Sequence, residues 1–325
     1  MGSAAILAFS LLLLTWPAAA QQTTVHSESN VVLIPALVKD GQGHALYGLQ
    51  AKDFIVEDDG VAQNVHLDEA AEMEPISLMV VLQRGRRALR EFPRIKGLSS
   101  MIQPILDQEQ TQSAVIEFDS VADLTQDFTD DATLVNKALK NLQPGDNGAA
   151  ILDAVQYAAN LLNQQPPQRQ RVLLLISETR DHGSRVAKLD DVVAAIGRGN
   201  TAVYALSFSP ALSNVLDTER GTNDEDMNAA PDLLAALILM RQAMRKNTPR
   251  TVASMTGGEY ELFDTRKGFE THMNDFTNHL HSRYLLSFQP QDPHPGLHQL
   301  RVRLRNSTKA EILARSSYWA QDREP

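Results

Sequence analysis

The chain has 325 residues, 43% of them hydrophobic, and a formal net charge of -10. That length supports a large core without covalent staples, and the acidic balance argues against a general nucleic-acid binder, which needs a basic footprint. There is no cysteine, which excludes disulfides, thiolate zinc sites, cysteine nucleophiles and a lipid-modified cysteine anchor.

The first segment, AAILAFSLLLLTWPAAA, has the length and apolarity of a signal peptide. Ala18 and Ala20 supply small residues before Gln21. No Lys or Arg precedes the apolar run, so only the terminal amine is positive there. The reading is a signal peptide over residues 1–20 and export to the periplasm or the outside; the alternative is an uncleaved anchor. No later segment is apolar enough to span a bilayer.

An N-terminal β module is expected over residues 25–72. VVLIPALVKDGQGHALYGL reads as a strand, a turn at Asp40-Gly41 and a short strand. In FIVEDDGVAQNVHL the alternation of Phe54 and Val56 leads into an Asp59-Gly60 hairpin. The pattern changes at Pro75, and an α/β domain is expected over residues 75–281. ISLMVVL is a buried strand ending at Gln83, followed by Arg84, Arg86 and Arg87. Residues 88–107 have helical periodicity, with Leu89, Phe92, Ile95, Leu98, Ile102 and Ile105 on one face. SAVIEFDS is a core strand with VADLTQDF as its hairpin partner. Helices are expected at 131–142, 149–163, 189–196, 233–255 and 268–280. QRVLLLISE, TAVYALSF and EYELFD supply further strands, and a long acidic excursion follows the second of these. Apolar strands alternating with helices mean a doubly wound, mostly parallel sheet. Strands return over residues 282–320, in RYLLSFQP, LHQLRVRLRN and AEILARSSYWA. Neither terminal set has enough strands to stand alone, so the two are expected to form one small β-sandwich.

Several stretches together resemble secreted bacterial von Willebrand factor A (VWA) domain proteins. GHALYGLQAKDFIVEDDGVAQNV resembles their N-terminal preface, PISLMVVL their first domain strand and AAILDAVQYA a helix start. ASMTGGEYELFD resembles a strand entry, and RYLLSFQP with HQLRVRLR the closing strands. The resemblance implies a Mg²⁺ adhesion site built from D-x-S-x-S after the first strand, a loop Thr and an Asp after the third core strand. In this chain Gln83 stands at the first Asp, Gly85 and Arg87 at the serines, Ala149 at the Thr and Ser177 at the second Asp. A hard divalent cation needs anionic oxygen ligands to offset its dehydration. The arginines add repulsion on the order of a kcal/mol per close charge. No metal and no cofactor are therefore expected there.

Two readings of the arginines stand side by side. Arg84, Arg86 or Arg87 could take the cation's place and bind an acidic side chain of a partner through a guanidinium fork. Alternatively the site has decayed and the arginines are solvated or paired with Glu178 and Asp181. ETRDHGSR places Asp181, His182 and Ser184 close together, yet without a G-x-S-x-G elbow it reads as a polar loop and not a hydrolase centre. His272, His279 and His281 read as residues of a surface helix, with a zinc site as the sharper option. His294 and His298 fall in a turn. Tyr318 and Trp319 read as sandwich core. The functional expectation is an exported, non-enzymatic protein that recognises another protein without metal and does not bind nucleic acid. The alternatives are a carrier or assembly factor for an exported enzyme or surface structure and, further off, a hydrolase.

Overall fold

The structure is a computed structural model that describes residues 31–68, 75–85, 88–208, 241–291, 294–306 and 309–320. The expected signal peptide, the acidic excursion, the first part of the 233–255 helix, Arg86 and Arg87 lie outside them. Among the described residues no helix is long and apolar enough to cross a membrane.

The centre is a six-stranded sheet. Its strands are β5 (Ile76–Gln83), β6 (Gln112–Phe118), β7 (Ala122–Thr129), β8 (Gln170–Glu178), β9 (Ala202–Phe208) and β10 (Tyr260–Phe263), in the order β10-β9-β8-β5-β6-β7. Every pairing is parallel except the β6–β7 hairpin. β5, β8 and β9 are apolar on both faces because both faces are covered. On one side α4 (Ile151–Asn163), α5 (Leu189–Gly199) and α6 (Thr248–Thr256) pack on Met79, Val81, Leu173, Leu175, Val203 and Ala205. On the other lie α1 (Leu98–Met101), α2 (Gln103–Leu106), α3 (Ala132–Lys140) and α7 (Arg266–Leu280), against Leu78, Val80, Leu82, Leu174, Ile176 and Tyr204.

The helix expected over 88–107 is broken. Ala88–Arg90 is a 3₁₀ turn, and only α1 and α2 are α-helical. Pro93 disfavours helical backbone before it, Gly97 sits at φ 102° ahead of α1, and Pro104 restarts the helix as α2. The apolar face survives, since Ile95, Leu98, Ile102 and Ile105 are all buried. Asn247, with Pro249 behind it, likewise caps α6 and interrupts the helix expected to run to 255.

The outer β segments form two antiparallel sheets. β1 (Val32–Lys39) lies between β13 (Glu311–Ala314) and β11 (Tyr284–Phe288), and β4 (His66–Asp68) completes the order β13-β1-β11-β4. β2 (Phe54–Asp58) pairs with β12 (Gly296–Leu304) and β3 (Val61–Ala62), with β14 (Ser317–Ala320) outermost on the other side of β12. N- and C-terminal strands thus share both sheets, and one core of Ile34, Ala36, Phe54, Val56, Leu286, Phe288, Leu300 and Tyr318 joins them. AEILARSSYWA is not one strand. The chain leaves one sheet after Ala314 and enters the other at Ser317. The crossing is held by Arg315, buried at 6% exposure, which donates to the carbonyls of Ser317, Leu33 and Gly197 and to Asn200 Oδ1. These acceptors lie in β14, in β1 and at the C-terminal end of α5, so one guanidinium fork ties the sandwich to the end of α5. Tyr318 faces the sandwich core, as expected. Trp319 packs instead against the α/β core and stands over Gly197 of α5, where a Cβ would come within 3.1 Å of it.

A second joint is Glu259, just before β10. Its carboxylate meets His279 Nδ1 of α7 at 3.0 Å, Arg283 at 3.7 Å and Lys39 of β1 at 3.9 Å. Burial alone would raise its pKa. The hydrogen bond from His279 and the charges of Arg283, His279 and Lys39 outweigh burial and hold it below the ordinary 4.5. A depressed carboxyl contributes stability that is present above its unfolded pKa and is lost as pH falls through its folded pKa. Stability measured by urea unfolding will therefore decline below about pH 4.5. Glu259→Gln will be less stable at pH 7 and will flatten that decline.

Candidate functional site

The strand order reverses between β5 and β8, and the crevice at their carboxyl ends is where an open α/β sheet presents a ligand site. Gln83 ends β5 and is 3% exposed. Its Oε1 accepts from the Glu178 backbone N at 2.8 Å, and its Nε2 faces Glu178 Oε1 at 3.4 Å. The amide therefore clasps the end of β8 with both its faces. Glu178 is itself buried, and His182 Nε2 approaches the same carboxylate oxygen. Ser177 is fully buried on the opposite face of β8 and donates to the Glu178 carbonyl at 3.0 Å. The acid that meets Gln83 across the crevice is thus Glu178, one residue beyond the position read from sequence.

Gly85 leaves no room for a ligand side chain. A Cβ there would overlap the Gly148 carbonyl oxygen. The 145–148 loop is laid directly over it by two bonds and stiffened by a third within the loop. Gly145 N donates to the Arg84 carbonyl at 2.8 Å, Asp146 N to Asp119 Oδ2 at 3.2 Å, and Gly148 N to Asp146 Oδ1 at 2.7 Å. Asp146 also accepts from Ser120 N, and the donors Gly148 and Ser120 hold its carboxyl below the usual range. Ala149 puts its methyl group into the core, and its carbonyl accepts from His182 N at 3.1 Å.

Arg84 pairs with neither Glu178 nor Asp181. Its Nε donates to Asp119 Oδ2 at 3.0 Å, and its two terminal nitrogens meet Asp123 at 2.5 Å and Glu117 at 3.7 Å. All three acids belong to the β6–β7 hairpin or its turn. Burial opposes the charge on Arg84, but Asp119 and Asp123 outweigh it and raise the guanidinium pKa further. Glu117 moves the other way: burial raises its pKa, against the pull of Arg84. Asp119 is the hub that sequence reading missed. It is buried, takes Arg84, Val121 N and Asp146 N on its carboxylate, and gives its carbonyl to Ala150 N. It stands directly after β6, which is buried from Ser113 to Phe118, a placement that marks a strand-end acid without indicating its partners.

The ETRDHGSR loop has a structural role. Asp181 Oδ1 accepts from Leu152 N at 3.0 Å and Ser184 Oγ from Asp153 N at 3.1 Å, so the two side chains cap the first turn of α4. The Ser184 hydroxyl is spent on Asp181 at 2.5 Å, and His182 turns to Glu178. In return Asp153 accepts from the backbone N of Arg185, Val186 and Ala187. The histidines of α7 do not converge either. His272 faces Glu261 and Asp275, His279 faces Glu259, and His281 faces Gln108.

Residues 82–181 match the profile of the von Willebrand factor type A domain. Among solved structures the chain is similar to the conserved hypothetical protein BatB from Bacteroides thetaiotaomicron, at 17% identity and TM-score 0.44, covering 63% of this chain and 98% of that one. It is similar to an aerotolerance-related membrane protein from Bacteroides fragilis, at 18% identity and TM-score 0.42, covering 62% and 98%. A von Willebrand factor type A protein from Catenulispora acidiphila aligns at 7% identity and TM-score 0.45, covering 91% and 76%. No curated protein matches the chain significantly.

Two substitutions test this packing. Gly85→Ser restores a serine at a ligand position yet will destabilise by about 1–3 kcal/mol, because the 145–148 loop has to move. Asp181→Ala will cost about 1 kcal/mol through the lost cap of α4. Both are read from urea midpoints at constant m-value.

Proposed function

We propose that the von Willebrand factor type A domain carried by this chain is a protein-recognition module that works without a metal at its strand-end mouth. Such domains are generally interaction modules. The observation that carries the metal-independent reading is the Gln83 clasp, in which a neutral amide binds both the backbone N and the carboxylate of Glu178 at 2.8 and 3.4 Å. A cation held there would have to take Glu178 from that amide and recruit ligands where Gly85 and Ala149 offer none. Arg84 supplies positive charge to Glu117, Asp119 and Asp123 in its stead.

The same geometry redirects the partner question. Arg84 is committed to its own chain, so capture of an acidic partner residue rests on Arg86 and Arg87, outside the described residues. A non-catalytic reading is supported by the use of Asp181 and Ser184 as helix caps. Export is supported by the signal-like stretch at residues 1–20. In this reading the mouth is a fixed surface of loops 84–85, 145–150 and 179–185, and recognition is by shape and hydrogen bonding.

The test places a photoreactive residue at Asn147, which is exposed on the mouth, and crosslinks in the native host. A discrete partner, captured equally in buffer with and without Mg²⁺ and Mn²⁺, is the expected result. Stoichiometric Mg²⁺ or Mn²⁺ lost on Glu178→Gln, or a neighbour list of abundant proteins alone, sinks the reading.

A further inference from the structure

A polar cluster inside the sandwich, and not at the mouth, carries chemistry that the recognition function does not use. Asp58 ends β2, Asp59 opens the hairpin turn to β3, His294 precedes β12, and His298 lies within β12. Tyr318 of β14 is the register partner of His298. Alternation along β12 turns His298 to the same side as Leu300, into the sandwich, where its side chain is 1% exposed.

Both ring nitrogens of His298 face acceptors. Nδ1 lies 2.9 Å from Asp59 Oδ2 and 3.2 Å from Asp58 Oδ1. Nε2 lies 2.7 Å from the His294 carbonyl. A neutral imidazole has one N–H and one lone pair, so on one of these two sides it would set a lone pair against an oxygen. Only the imidazolium donates on both sides. The ring is also fixed in place. It stacks on His294 at 4.0 Å and on Tyr318 at 4.5 Å, inclined by 18° and 20°.

The titratable groups around the ring come from every element packed on it. β2 gives Asp58 and the turn gives Asp59. The segment before β12 gives His294, whose Nε2 lies 3.3 Å from Asp59 Oδ2. β14 gives Tyr318, whose hydroxyl donates to Asp58 Oδ2 at 3.0 Å. Burial and the charges of Asp58 and Asp59 push the Tyr318 phenol up against the pull of Arg315, so it remains a donor through neutral and mildly alkaline pH. For His298, burial opposes the proton. The hydrogen bonds to Asp58 and to the His294 carbonyl, with the charges of Asp58 and Asp59, outweigh burial and raise its pKa above 6.5.

We propose that His298 is a pH-operated latch of the sandwich: as an imidazolium it ties the β2–β3 turn and the segment before β12 to β12, and loss of its proton to water releases them. Exposure decides which partners yield. The Asp59 and His294 side chains are 37% and 50% exposed, whereas Asp58 is 6% exposed and held by Tyr318. The turn and the segment before β12 therefore swing out, while β2 and β12 stay paired. Asp59 sits at φ 48°, a conformation uncommon for a residue with a side chain, and its bond to His298 helps to keep it there. Because the folded pKa is raised, the stabilisation is complete below about pH 6.5 and is lost as pH rises through the folded value. The sense is opposite to that of Glu259, which fails on the acid side.

The test is amide hydrogen–deuterium exchange on the full chain at about pH 6 and about pH 9, corrected for the intrinsic pH dependence of exchange. Loss of protection on the alkaline side is expected in residues 59–62 and 294–297, with β5 and β8 unchanged. His298→Gln, which carries no titrating ring, is expected to show no such difference between the two conditions. Equal protection of the wild-type segments in both conditions, or the same alkaline loss in His298→Gln, would overturn the proposal. A second measurement needs no variant to fold. In long-range ¹H–¹⁵N spectra of the histidine rings at about pH 6, both nitrogens of His298 are expected to carry protons, and one of them is expected to be lost as pH rises above about 6.5. A His298 ring with a single proton in the acidic sample would overturn the proposal equally.

Discussion

Carboxylates gathered at the end of a buried sheet need a positive charge, and the way this chain supplies one decides the character of the whole edge. Glu117, Asp119 and Asp123 lie beside the last residues of β5, with Glu117 and Asp119 buried. Unpaired, such groups cost several kcal/mol each. Arg84 answers them from within the chain. A guanidinium is a fixed, permanently charged group, whereas a metal ion exchanges with solvent and can accept a ligand from outside. With Arg84 seated on its Oδ2, Asp119 organises the 145–150 loop through that same oxygen, which also accepts from Asp146 N, and through its carbonyl, which accepts from Ala150 N. The loop then closes over Gly85, and α4 starts under it. The clasp of Gln83 on Glu178 joins the ends of β5 and β8 beside it.

Much of the framework was legible in the sequence because its causes are local. β5, β8 and β9 announce themselves as apolar runs of strand length, and the Asp59-Gly60 turn and the β6–β7 hairpin follow from alternation. The family resemblance added the order of the elements and pointed to the end of β5 at Gln83. The errors share a cause. Helical periodicity over 88–107 reports the buried face correctly but is blind to the backbone breaks that Pro93, Gly97 and Pro104 impose. AEILARSSYWA alternates well enough for one strand, yet a buried arginine in the middle switches it between sheets. Neither the partners of Arg84 nor the one-residue offset between Ser177 and Glu178 has a sequence signal, because both depend on which strand end faces which. His294 and His298 looked like turn residues because Asp58 and Tyr318, which complete their surroundings, are far away in the chain.

Polar groups also hold the sandwich to the α/β sheet. Arg315 and Glu259 each reach across, the first with a fork of donors, the second with a carboxylate ringed by cations. Burial works against both charges, pushing Arg315 down to about 10, and each is kept by the bonds it makes. Buried ionic joints of this kind add less net stability than apolar packing would, but they tolerate few alternative geometries. Trp319 over Gly197 provides the apolar complement, at a separation that any larger residue in α5 would spoil.

One feature of the sandwich bears on how the molecule is made. β1 is flanked by β11 and β13, so the earliest described strand is completed only by strands close to the other end. β2 is in the same position relative to β12. A chain that emerges N-terminus first carries these two segments with open hydrogen-bonding edges through the whole formation of the α/β sheet. Pairings of such long sequence separation form late and slowly, and an open apolar edge is a template for association with another chain. The α/β sheet can condense first and bring the two ends together. Until the last strand arrives, the half-built sandwich is the part of the molecule most exposed to misassembly, and the part where a folding helper would have most to do.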